Sequence, residues 1–212
     1  MNKIKIIDPK INYESLETYT TLPQIDEETY ESISFDSFGL HNIFLKHLRF
    51  KNSLLSNVSI NDSNFLKAEF INTEFSHCEF NNCIFDVSIF DKVKFTNCKL
   101  IGCQFPDSVF TDTRVIDSNA SYITLRYSSI KNSEFEESNL QHADFTSSSF
   151  HTVNFDKCEL SKGVFANCKF DKTDLQTSNI DGCIYTLENL KGLTISFNQT
   201  YYFAKLLGLT II

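Results

Sequence analysis

The chain has no tryptophan, one methionine, three prolines and six glycines in 212 residues. So little proline and glycine excludes a collagen-like or loop-dominated chain. No stretch approaches the roughly 18 apolar residues of a membrane-spanning helix, and Met1 to Lys10 lacks the apolar run of a secretory leader. The expectation is a cytoplasmic chain with no membrane partner. A basic excess is missing too. With 27 acidic and 19 basic side chains, the net charge of −8 argues against direct nucleic-acid binding. None of the seven cysteines forms the Cys-x-x-Cys pair of a zinc site. Nothing groups a nucleophile with a histidine and an acid, and there is no glycine-rich phosphate loop. The expectation is no metal, no cofactor and no enzymatic activity.

What the chain has in excess is phenylalanine, 21 residues of it. From Phe35 to Tyr185 every fifth residue is apolar, without exception over 31 positions, and 17 of the phenylalanines fall on this register. We call these positions centres. Phe70, Phe75, Phe80, Phe85, Phe90 and Phe95 occupy consecutive ones. Two residues before each centre, from Ser53 onward, stands a small residue (Ser, Thr, Cys, Ala, Gly or Val), Ile123 excepted, and all seven cysteines are there. Cysteine at such a position packs as a small apolar residue. Cys78 and Cys98 are expected to stack about 5 Å apart, a spacing that permits a disulfide but that a reducing cytoplasm disfavours.

A period of five does not fit a helix, in which successive centres would spiral around the axis. Nor does it fit a straight strand, in which an odd spacing sends alternate centres to opposite faces. A short strand that turns a corner every five residues keeps every centre inside. Sorting the centres by a period of 20 supports four corners per turn. One class (Leu40, Ile60, Phe80, Leu100, Ala120, Leu140, Leu160, Ile180) holds a single phenylalanine, whereas the other three are rich in them. The expected fold is all-β: a right-handed quadrilateral β-helix of about eight coils, roughly 40 Å long at ~4.8 Å per coil, with a short C-terminal α-helix. Its expected parts are an N-terminal cap or arm (1–34), the β-helix (35–185) and a C-terminal capping or dimerisation segment (186–212).

The open β edges at both ends need covers. Phe38, Ile43 and Leu48 at small-residue positions imply an atypical first coil. After Tyr185 the register is expected to stop, and Ser196 to Leu207 reads as a helix capped by Asn198 or Ser196, with Gly208 past its end. Tyr201, Tyr202, Phe203, Leu206, Leu207 and Leu209, with Ile211 and Ile212 beyond, would cover the last coil and could join two copies. On the rod, candidate partner contacts are Asp107, Asp112 and Asp117, the acidic cluster Glu134, Glu136 and Glu137, and the outward tyrosines Tyr122 and Tyr127. The histidines (His41, His47, His77, His142, His151) read as solvated outward or corner residues. At Ala120 and Ile123 the centre is small and the small site large, which is either a compensated packing swap or a shaped recognition surface. An acidic rod could imitate duplex DNA and attract a basic DNA-handling protein.

The steps Ala68-Glu69-Phe70, Ala143-Asp144-Phe145 and Ser138-Asn139-Leu140 resemble the A(D/N)LXX motif of the pentapeptide-repeat family. Ala120-Ser121-Tyr122-Ile123-Thr124 is similar to the central SAYIT-type segment of the Qnr quinolone-resistance group. Asn189-Leu190-Lys191-Gly192-Leu193, with Phe203-Ala204-Lys205-Leu206-Leu207-Gly208-Leu209, is similar to that group's C-terminal signature. The uninterrupted repeat matches its loop-free type. This resemblance implies a dimer joined through C-terminal elements. It also implies binding to the type II topoisomerases, DNA gyrase and topoisomerase IV, with protection from fluoroquinolones. An immunity protein against a peptide gyrase poison, or a scaffold unrelated to topoisomerases, would share the fold.

Overall fold

A computed structural model of the chain describes residues 4–23 and 25–210. Nearly all of it is a four-sided stack of parallel strands. Each strand pairs with the one 20 residues on: Phe50 faces Phe70, Phe70 faces Phe90 and Phe90 faces Phe110. We name the sides by their centres: face A (Tyr30 to Phe170), face B (Phe35 to Leu175), face C (Leu40 to Ile180) and face D (Leu45 to Tyr185). The centres and the small positions point inward. Phe70, Phe75, Phe80, Phe85, Phe90 and Phe95 are all buried, as the register requires.

The aromatic centres stack along the axis. On face A, Phe70, Phe90 and Phe110 lie ring on ring at 5.0 and 4.7 Å. On face D, Phe65, Phe85 and Phe105 do the same at 4.9 and 5.0 Å. Each buried phenylalanine contributes about 2–3 kcal/mol relative to exposure. The small position does more than leave room. The hydroxyl of Ser108 and the thiols of Cys78, Cys158 and Cys168 donate to the carbonyl of the centre 23 residues earlier, at 2.8–3.2 Å. All seven cysteines are buried and free. Burial pushes the Cys158, Cys168 and Cys183 thiols up to about 12.

The corner has a conformational signature. From Ser32 to Lys172 the residue two after each centre has φ between 46° and 68°. This left-handed conformation costs a non-glycine residue about 1–2 kcal/mol, less for Asn and Asp. It explains why these two recur there.

The stack is longer than 35–185 at both ends, about nine turns in all. Thr29–Glu31 pairs with Arg49–Lys51, so Tyr30 already acts as a centre. The register also does not stop at Tyr185. Leu193–Thr194 pairs with the strand at Thr173 and Asp174, and Leu190 and Ile195 pack on the core five and ten residues past Tyr185. The turn between them needs Gly192: at φ 96°, a Cβ there would lie 2.2 Å from the Phe170 carbonyl oxygen.

At the N-terminal end Leu22 and Tyr30 close the core, and Phe38 packs edge-on against Phe35 at 5.4 Å. Residues 4–21 form an arm along the corner between faces A and B, and Glu17–Tyr19 pairs with residues 33–35. At the other end the helix α1 spans Thr200–Leu206, shorter than the sequence implies. Asn198 does not cap it. Ser196 Oγ accepts the Gln199 N–H while Gln199 Oε1 accepts the Ser196 N–H, a capping box one turn earlier. No helix among the described residues is long and apolar enough to cross a membrane.

Candidate interaction surface

Two of every five residues, those flanking the centre, present side chains outward from the faces, and a third forms the corner. The surface is therefore a set of columns repeating every 20 residues. Most charged neighbours within a column have opposite sign. Arg49 meets Glu69 at 3.2 Å, Lys99 meets Glu79 at 2.5 Å, Arg114 meets Glu134 at 3.5 Å and Lys157 meets Glu137 at 2.6 Å.

Face B and its corner toward face C break this rule. Glu136 lies in register with Asp156 on the adjacent strand, and Asp117 stands one coil below Glu137. Like charges directly opposite each other destabilise a sheet. Asp174 follows Asn154 in the next column. The half of face B nearer the C-terminus is thus a mainly acidic surface, with Arg114 and Lys157 paired into it.

The expected contact residues distribute unevenly over this geometry. Asp117, Glu134, Glu136 and Glu137 come together on face B and its edge. Glu134 is engaged, accepting from Asn154 at 3.0 Å as well as facing Arg114. Asp107, Asp112 and Asp117 form no single run. Their spacing of five places them on three different corners, and all three have positive φ. Asp112 is also buried under the N-terminal arm, accepting the Ile7 N–H at 3.2 Å. Tyr122 and Tyr127 occupy the two corners of face D and are 58% and 64% exposed. Tyr122 stacks on His142 at 4.7 Å. Sequence reasoning passed over Asp156 and Asp174; sorting surface positions by 20, as the centres were sorted, brings Asp156 beside Glu136 and puts Asp174 in the column of Glu134, two coils on.

Beneath Tyr122 the swap of Ala120 for Ile123 is incomplete. Both are buried, but Val115, Leu125 and Ile130 are also smaller than phenylalanine. They leave an apolar cavity of about 20 Å³ lined with Phe95, Phe110 and Phe135.

At the C-terminal end, α1 divides into two sides. Tyr202 donates to the Cys183 carbonyl, Phe203 packs on Tyr185 at 5.2 Å, and the Gln199 amide donates to the Leu175 and Ser178 carbonyls at 2.8 and 2.9 Å. This side is the lid. Tyr201, Leu206, Leu207 and Leu209 face outward, beside Phe197 at 88% exposure. Ile211 and Ile212 lie outside the described residues. The five histidines are at outward or corner positions, His41 facing Asp62 at 3.3 Å and His151 facing Asp171 at 2.6 Å.

Comparison with known proteins agrees with this geometry. A family model described as pentapeptide repeat region matches residues 88–165, and one described as pentapeptide repeats (8 copies) matches residues 49–86. Together they span more than half of the chain. No curated protein sequence matches it. Among solved structures, a trypsin-treated form of QnrB1, a plasmid-mediated fluoroquinolone resistance protein, is 18% identical with a TM-score of 0.55, covering 84% of this chain and 100% of its own. Full-length QnrB1 is 18% identical with a TM-score of 0.53, covering 81% and 100%. At this identity the likeness is one of fold.

Proposed function

The chain belongs to the pentapeptide-repeat family, and from that premise we propose that it is a DNA-mimicking binding protein for type II topoisomerases. In this reading it acts in the cytoplasm on DNA gyrase or topoisomerase IV and protects them from fluoroquinolones, with no catalytic step of its own. The observation that carries the proposal is the like-charged face B. Glu136 over Asp156 and Glu137 over Asp117 cost stability, and a basic groove built for a phosphate backbone would relieve that cost on docking. Complementary charge also speeds encounter, by ten- to a thousand-fold for strongly focused fields. The fold likeness to a fluoroquinolone resistance protein supports the choice of target. Two copies join through the exposed side of the C-terminal segment, Tyr201, Leu206, Leu207 and Leu209, in a two-fold contact.

The test is gyrase supercoiling in the presence of ciprofloxacin, titrated with the purified protein. Restored supercoiling is expected, and the variant Glu136→Lys, which sets a cation opposite Asp156, should lose much of it while melting no lower than the parent. Inhibition without rescue would redirect the reading to a peptide gyrase poison. No effect at any concentration would remove topoisomerases as the target.

A further inference from the structure

The N-terminal arm is held by the solenoid in a way that reads its main chain. At Lys10 the Asn72 side-chain carbonyl accepts the backbone N–H at 2.6 Å, and the Asn72 amide donates to the backbone carbonyl at 3.0 Å. Both polar groups of one peptide residue are thus satisfied by one side chain. Three residues earlier, Asp112 accepts the Ile7 N–H at 3.2 Å. Between them, Asp8 meets Arg114 at 3.3 Å.

The spacing is commensurate. Asn72 and Asp112 belong to one corner column, two coils apart, or about 9.6 Å at ~4.8 Å per coil. Three residues of extended chain span about 10 Å. Pro9 lies between the two anchor points and has no N–H to leave unpaired, and it biases Asp8 toward extended backbone. The column is also set before the arm arrives. The Asn72 amide donates to Asn52 at 2.6 Å, and Asn52 in turn donates to Glu31 at 3.4 Å. The column continues past the arm's contacts through Asn132 and Thr152.

We infer that this corner column is a binding groove for an extended peptide segment of a partner protein, centred on an Asp-Pro step, which the chain's own Ile7–Lys10 occupies in cis. Backbone recognition by Asn72 and Asp112 tolerates sequence variation, and Arg114 selects the acid. The tethered arm is present at an effective concentration in the millimolar range. A second copy offers the same ligand and gains nothing over the arm in place, so the occupant that displaces it is a different chain with a better-fitting segment. The arm sets the threshold for that exchange.

The test uses full-length protein and a fluorescein-labelled peptide of residues 4–14, followed by fluorescence anisotropy at low salt. Asp8→Ala in the protein removes the arm's ion pair but leaves the groove intact. This variant should bind the peptide about two- to five-fold more tightly than the parent, the range of a partly exposed ion pair. Adding Asn72→Gly, which keeps the positive φ and removes the amide, should then weaken binding at least ten-fold while circular dichroism shows the fold retained. Equal binding by Asp8→Ala and the parent, an unchanged affinity on adding Asn72→Gly, or equal binding of a scrambled peptide would each overturn the inference. Concentration-dependent dimerisation of the parent that Asn72→Gly abolishes would assign the groove to a second copy and overturn the partner.

Discussion

Replacing Phe90 with alanine tests the packing argument at its most connected point. Phe90 is 1% exposed. Its ring stacks on Phe70 at 5.0 Å and Phe110 at 4.7 Å, and meets Phe85 and Phe105 edge-on at 5.8 and 5.5 Å. Truncating a buried phenylalanine costs about 3–5 kcal/mol. Aromatic pairs contribute about 0.5–1.5 kcal/mol each beyond area, so four of them place Phe90→Ala near the top of that range. At about 2–4 °C per kcal/mol for a chain of this size, the melting temperature should fall on the order of 10–15 °C. Stability in a solenoid is close to a sum over neighbouring coils. The loss should therefore concentrate near the mutated coil and broaden the transition. Phe44→Ala is the control, since that ring is exposed and should cost under about 0.5 kcal/mol. Urea unfolding followed by circular dichroism gives both values. If Phe90→Ala fell within about 1 kcal/mol of Phe44→Ala, the stacked rings would not be the source of stability.

Val87 is a β-branched corner residue at φ 53°, so Val87→Asn should stabilise by about 1 kcal/mol, read as a rise in urea midpoint. Val115→Ile fills part of the 20 Å³ cavity, and since filling all of it would yield about 0.5 kcal/mol at about 24 cal/mol per Å³, it should stabilise by a few tenths of a kcal/mol; a loss would mean that the site cannot accept a methylene. The thiols of Cys158, Cys168 and Cys183 titrate near 12 in the fold because burial disfavours the thiolate. A thiol raised in the native state leaves stability intact below its unfolded value near 9 and lowers it as pH rises from there toward 12, by up to about 1.4 kcal/mol per pH unit for each group. Unfolding midpoints between pH 8 and 10.5 should fall, and Cys158→Ser should reduce the slope by one thiol's share.

The core was legible because one side chain repeats in one role. Phe70 to Phe95 at a period of five admit no helix and no flat strand, and the period of 20 among the centres fixes four sides. The corner was not legible as such. Asn72, Lys92, Asp112 and Asn132 look merely polar in sequence, and their shared property is a backbone angle. That is also why Asp107, Asp112 and Asp117 look like a cluster: a spacing of five is the spacing of corners, and consecutive corners face different ways. The arm's path could not be read, because Lys10 meets Asn72 and Asp8 meets Arg114 across 62 and 106 positions of chain with no repeat to set a register. Leu190 and Ile195 were hidden by the short 3₁₀ turn at Leu187–Asn189, which interrupts the motif without ending the stack.

These constraints locate where recognition can reside. The centre, the small position and the corner are fixed by packing, by the hydrogen bond to the preceding coil and by φ. The two residues flanking each centre vary freely, and the corner varies among residues held at positive φ, Asn72, Asp112 and Glu137 among them. Over most of the rod those columns pair opposite charges, as Arg49 with Glu69 and Glu79 with Lys99. Lys94 over Arg114 is a like-charged pair whose arginine is met by Asp8 of the arm. Among the described residues neither Glu136 nor Asp156 has an ion pair of its own, the nearby Lys157 being engaged by Glu137 at 2.6 Å, although a lysine at either position would supply one at no cost to the core. Exchanging Glu136 for lysine should accordingly raise stability by a few tenths of a kcal/mol while slowing association with a basic partner. A substitution that stabilises the fold and weakens binding identifies a surface held for its partner rather than for the rod.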